Sequence, residues 1–142
     1  SDIFNIHRTP LLDRKLDEKD YPIEIKLFKK EAELIRNYAE GGKCVFVGRA
    51  ASFILNDRDD CLNAFIYADE DYRLQRAMSV EGIDSQKAAA SLKKNDRRRA
   101  NFYTAHTRKI WDDKKNYHIM INSGILGTVE SVRILEKIVR GE

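Results

Sequence analysis

Apolar residues recur at spacings of three and four through Ile25, Phe28, Ala32, Ile35 and Ala39, which predicts an amphipathic helix with one buried stripe. Pro22 stands where a first-turn proline would, and Gly41-Gly42 closes the segment. Three later runs follow another pattern. Cys44 to Val47 (CVFV), Ala64 to Ala68 (AFIYA) and Tyr117 to Ile121 (YHIMI) are short, continuous and apolar, as expected of strands buried on both faces in a parallel sheet. Between them, Ala50 to Leu55 predicts a helical turn or two and Asn56 to Cys61 a polar turn. Asp69 is placed to cap a helix with an acidic first turn that runs to about Val80, before Gly82. A loop from Asn122 to Gly127 and a closing helix from Thr128 to Val139, with Val129, Val132, Leu135 and Val139 inward, complete the pattern. The opening stretch, Ser1 to Tyr21, predicts irregular structure with one helical turn. Strands that alternate with helices imply an α/β fold: a three-layer, mostly parallel sheet with helices on both faces and ligands beyond the carboxyl ends of its strands.

The longest element is predicted from Asp84 to Trp111, DSQKAAASLKKNDRRRANFYTAHTRKIW, which contains no Gly or Pro and is rich in helix formers. Asp84 can cap its first turn, with Ile83 and Ala88 placed as a hydrophobic staple. A continuous helix of this length would span about 40 Å, so a bend is expected near Asn95. Beyond it, Asp96, Arg99, Tyr103, Thr107 and Trp111 recur at spacings of three or four and share one face. A solvated charged helix is the simplest account of the cluster Lys93 to Arg99. Aromatic residues on the stripe and arginines suited to bidentate capture of oxyanions point instead to a face that meets phosphate.

Composition narrows the partner. A net charge of +3 over 142 residues is too mild for a general nucleic-acid binder, so the basic cluster is local and its partner is expected to be small. The apolar runs are too short for a membrane span, and a cytoplasmic location is expected. Cys44 in an apolar run and Cys61 in a polar turn read as one core and one surface thiol, without metal spacing or a disulfide framework. His7, His106 and His118 share no ligand spacing, and no nucleophile motif is present. What remains is arginines with an aspartate, a set suited to phosphoryl transfer, where positioning and charge stabilisation do nearly everything. Arg49, after Gly48 at a predicted strand end, can reach a phosphate over the sheet. Arg73 and Arg76 lie one turn apart on the helix after the second strand, and Asn122-Ser123-Gly124 could offer backbone contacts to a base.

The runs CVFVGRAASFIL, AFIYADEDYRLQRAM, KKNDRRRANFYTAHTRKIWDD and YHIMINSGILGTVESVRILEKIV resemble the cytidylate kinase-like family, relatives of the P-loop nucleoside-monophosphate kinases, over roughly Leu16 to Val139. The most specific part is Asp96, Arg99, Tyr103, Thr107 and Trp111 at their regular spacing. The resemblance implies a single kinase-like domain, residues 1–142, with a helical lid at about 84–111. It implies transfer of the ATP γ-phosphoryl group to CMP or a similar monophosphate, with Mg²⁺ as the accompanying metal and its ligands unassigned. It further implies that Arg49, with Ser52 and Tyr103, meets the monophosphate, that Arg73 and Arg76 reach ATP, and that Asp96 and Arg99 meet the transferring phosphate.

Two departures from the family pattern are visible. Ala50, Ala51 and Ser52 stand where a carboxylate is common, and the chain has no G-x-x-x-x-G-K-[ST] phosphate loop. The family's loop lies on its first strand, so the natural chain is expected to begin upstream of Ser1. That strand is expected between Cys44 to Val47 and Ala64 to Ala68, its place taken by upstream residues or by Asp2 to Ile6. A non-catalytic nucleotide-sensing or partner-binding domain is the alternative function, and an RNA-contacting domain using Lys93 to Arg99 is a third.

Overall fold

The computed structural model describes residues 21–142; the expectations for Ser1 to Asp20, including a strand at Asp2 to Ile6, lie outside them. The described residues divide into two compact units, one formed by residues 21–61 together with Phe102–Ile110, the other by Leu62–Asn101 and Trp111–Glu142.

In the first unit, α1 (Ile23–Glu40) follows Pro22, and Gly41 caps its C-terminus. Its buried residues, Phe28, Ala32, Ile35 and Ala39, are the predicted stripe, because a 3.6-residue period puts them on one face. Phe28, 2% exposed, stacks on His106 at 4.1 Å and meets Phe102 edge-on at 6.0 Å. Burying such a side chain contributes about 1.5–3 kcal/mol. The short α2 (Ala51–Ile54) adds Ala51, Phe53 and Ile54 to this core. Arg58 clamps the end of α1: it bonds Glu40 and Asp60 and reaches the Ala39 carbonyl. The hydrogen bond from Arg58 holds the Asp60 carboxyl below its usual range.

Cys44 to Val47 forms no strand. Val45 and Val47 are each 90% exposed, and Cys44 is exposed as well, which corrects its assignment to the core. An apolar run becomes a strand only when a neighbour accepts its backbone hydrogen bonds, and among the described residues this run has none.

The second unit carries the sheet. Its strands β1 (Ala64–Tyr67) and β2 (Ile119–Asn122) pair in parallel, Ala64 opposite Ile119 and Tyr67 opposite Asn122. The connection between them runs through α3 (Glu70–Glu81) and α4 (Ser85–Thr107), a mixed α/β arrangement with two strands among the described residues where three were expected. Phe65 of β1 packs against Trp111 at 5.3 Å and Tyr117 at 4.9 Å, and the Tyr117 hydroxyl donates to the Trp111 carbonyl at 2.5 Å. Trp111 therefore belongs to the packing of the sheet. It is not on the face of α4, which ends at Thr107 before Arg108 turns left-handed at φ 59°.

The α4 helix begins as expected, with the Asp84 carboxylate accepting from Lys87 N at 2.8 Å, and it runs through Asn95 without a break. Asp69 precedes α3 but makes no side-chain cap. The final helix, α5 (Ser123–Arg140), starts earlier than predicted, because the Asn122 side chain accepts from Gly124 N and Ile125 N and nucleates a turn inside the expected loop. Gly127, at φ 77°, kinks it. Gly124 is needed for close approach, since a Cβ there would lie 3.0 Å from Ala68 Cβ and 3.2 Å from the Tyr72 ring. The predicted inward face of α5 is not covered: Val129 is 81%, Val132 50% and Val139 72% exposed. Two strands about 5 Å apart cannot cover a helix about 10 Å across.

Candidate functional site

Candidate site residues fall in both units. In the first, Gly48, Arg49 and Ala50 have φ of 72°, 53° and 55°, a left-handed turn in which only the glycine is at ease. Each non-glycine residue held there costs about 1 kcal/mol or more. Such strain persists only where surrounding contacts impose it, and here they converge on Arg49. Its Nη2 donates to Glu31 Oε1 at 2.7 Å and Oε2 at 2.8 Å, and its Nε donates to Oε1 at 3.2 Å. The guanidinium also lies over the Phe102 ring, 4.0 Å from its centroid. Edge, face and backbone are thus all fixed, while the side chain stays 49% exposed.

Ser52 and Tyr103 support this corner. Tyr103 is 4% exposed; burial pushes its phenol above the usual range, opposed by a hydrogen bond with the Ser52 side chain. The pair links α2 to α4, while the Thr107 hydroxyl donates back to the Tyr103 carbonyl at 2.7 Å.

In the second unit, Asp96 is the centre. Its Oδ2 accepts from Arg73 Nη2 at 2.6 Å, tying α4 to α3, and its Oδ1 lies 3.7 Å from Arg99 Nη1. Spacing places Arg99 one turn after Asp96 on the same helix face, but the Arg73 contact comes from the fold. Arg99 remains 59% exposed. Arg76 is exposed and makes no ion pair among the described residues. The opposite face of α4 presents Lys93, Lys94, Arg97 and Arg98 along a shallow groove with Ala90 and Asn101.

Sequence reasoning missed Glu31 and Phe102. Glu31 flanks the buried stripe of α1, three residues after Phe28, but nothing in its own surroundings marks it as the partner of an arginine beyond the glycine turn. Among the described residues no group of three or more His, Cys, Asp or Glu is placed to hold a metal ion. Mg²⁺ in phosphoryl transfer is usually held by one or two carboxylates together with substrate phosphates, a smaller set than such a cluster. No helix of the described residues is long and apolar enough to cross a membrane.

The chain is a mixed α/β protein with candidate arginines in each unit, and known proteins narrow its class. The crystal structure of an uncharacterized protein from Eubacterium ventriosum ATCC 27560 superposes with a TM-score of 0.79 at 28% identity, covering 99% of this chain and 73% of that one. No curated protein matches. The profile of the cytidylate kinase-like family matches residues 3–125, and the chain belongs to that family.

Proposed function

We propose that the protein is a nucleoside-monophosphate kinase that transfers the γ-phosphoryl group of ATP to CMP or a similar nucleotide. The observation that carries this reading is Arg49: an arginine held on three sides in a strained turn, in a chain of the cytidylate kinase-like family. Strain of this kind is found where geometry serves binding, and a fixed guanidinium suits a monophosphate.

In this reading Arg49 grips the acceptor phosphate, with Ser52 and Tyr103 forming the corner beneath it. Arg73 and Arg76 serve ATP. Asp96 holds Arg73 and Arg99, and Arg99 meets the transferring phosphoryl group. An acceptor phosphate oxygen, already ionised at neutral pH, forms a bond to the γ-phosphorus, and the bond to the bridging oxygen breaks, releasing ADP. No general base is required, and Asp96, committed to two guanidinium groups, is not offered as one. The protein's share of the catalysis is charge neutralisation and alignment.

The same reading takes residues 1–142 as one kinase-like domain of the P-loop nucleoside-monophosphate kinase type, three-layered, with 84–111 as its lid and a cytoplasmic setting. A coupled ADP-release assay of the full-length protein across the common monophosphates tests it. Turnover highest with CMP or another pyrimidine monophosphate supports the proposal. Nucleotide binding without turnover would favour the nucleotide-sensing alternative.

A further inference from the structure

We infer that Glu31 is a positioning residue for acceptor binding: it aims Arg49 by holding one edge of the guanidinium and leaving the other for phosphate. This rests on the assignment of Arg49 to the acceptor site. Arginine carries five N–H donors in a rigid fork. Glu31 takes the side-on edge, Nε and Nη2, at 2.7–3.2 Å, and the Phe102 ring covers one face of the plane. Nη1 makes no hydrogen bond or ion pair among the described residues, so its two N–H donors are left for another acceptor. The same guanidinium can therefore hold the carboxylate through Nε and Nη2 while Nη1 donates to an oxyanion.

An unheld arginine at this position would sample many rotamers and surrender that freedom at every binding event. Glu31 removes the cost in advance. The carboxylate comes from a packed part of α1: Glu31 stands three residues after Phe28, one before Ala32 and four before Ile35, all three buried, and its side chain is itself only 25% exposed. A carboxylate merely decorating the surface would not be fixed by such neighbours. Its charge partly neutralises the guanidinium, which lowers raw attraction for phosphate, but the gain from fixed geometry outweighs that loss.

The test is calorimetric titration of the full-length protein with CMP and, separately, with ATP, for Glu31→Ala, Glu31→Gln, Arg49→Ala and the double variant Glu31→Ala/Arg49→Ala. Glu31→Ala is expected to weaken CMP binding on the order of tenfold with ATP binding unchanged. Glu31→Gln, which keeps an acceptor oxygen at the same reach, should restore most of the loss, a rescue that general damage to α1 would not allow. Because Glu31 acts through Arg49, the double variant should bind CMP no more weakly than Arg49→Ala alone. If Arg49→Ala weakens CMP binding but Glu31→Ala leaves it unchanged or tightens it, the inference about Glu31 is overturned and the acceptor site stands. If Arg49→Ala itself leaves CMP binding unchanged, the acceptor-site assignment fails, and the role of Glu31 with it. Additive losses in the double variant would also overturn the positioning role.

Discussion

Arg49 and Arg99 are assigned to the same chemistry, yet their surroundings differ. Arg49 is gripped by a carboxylate, stacked on an aromatic ring and carried on a left-handed turn. Arg99 has one loose contact, 3.7 Å to Asp96, on a half-exposed stretch of helix. A prepaid geometry suits a group that binds the ground state, where ordering costs would otherwise subtract from affinity. A loosely held guanidinium suits a group whose main contact forms as charge develops, because interactions made only in the transition state raise kcat. Under the proposed function, the contrast is the one expected between a binding arginine and a catalytic one.

The sharpest way to break that contrast is kinetic. Arg99→Ala should lower kcat and kcat/KM together, on the order of 10³-fold as for other arginines that meet a transferring phosphoryl group. Arg97→Ala, roughly 160° round the helix by its 3.6-residue period, should cost little. Steady-state rates at saturating ATP and CMP decide this, and equal losses in the two variants would return α4 to a solvated charged helix. Arg49→Ala is the complementary case: it should weaken CMP binding by about 1.5–3 kcal/mol, the range for a charge-assisted hydrogen bond, with ATP affinity nearly unchanged. Equal loss for both ligands in calorimetry would remove Arg49 from the acceptor site.

Asp96 should come next. Arg73 and Arg99 stay charged without it, so Asp96→Ala should lower turnover by about tenfold, less than loss of the Arg99 guanidinium, in line with the modest worth of half-exposed ion pairs. A loss as large as that of Arg99→Ala would mean that Asp96 itself touches the reacting groups. The smallest effect is expected beneath Arg49. Tyr103→Phe removes one hydrogen bond with Ser52 and should cost about 1 kcal/mol in denaturant unfolding. Burial raises the Tyr103 phenol above its unfolded value. The folded state therefore holds this proton more tightly, and that contribution to stability is full below the unfolded pKa, about 10, and is lost as pH rises through the folded pKa. Tyr103→Phe should flatten the alkaline limb of the stability profile, and an unchanged limb would show that Tyr103 does not shape it.

Much of this protein was determined by its sequence. The α1 stripe, the Asp84 cap and the spacing of Asp96 and Arg99 all depend on residues within a turn or two of one another, where backbone geometry alone sets who is a neighbour. Membership of the cytidylate kinase-like family was legible for a related reason, since its motif is a short run of residues at fixed spacing along the chain. Tertiary structure decided the rest. Cys44 to Val47 has the composition of a strand, but a strand exists only through a partner's hydrogen bonds, and no described residue supplies them. Val129 and Val139 have the pattern of a buried face, but two strands are too narrow to cover it. Most telling is Arg49, whose sequence context offers a glycine and a strand end, while its grip comes from Glu31 on α1 and Phe102 on α4. Those residues are distant along the chain, and the packing of Phe28 against Phe102 and His106 helps bring their helices together. Local periodicity is set by bonded geometry, but the aim of a side chain is set by whatever the fold places beside it.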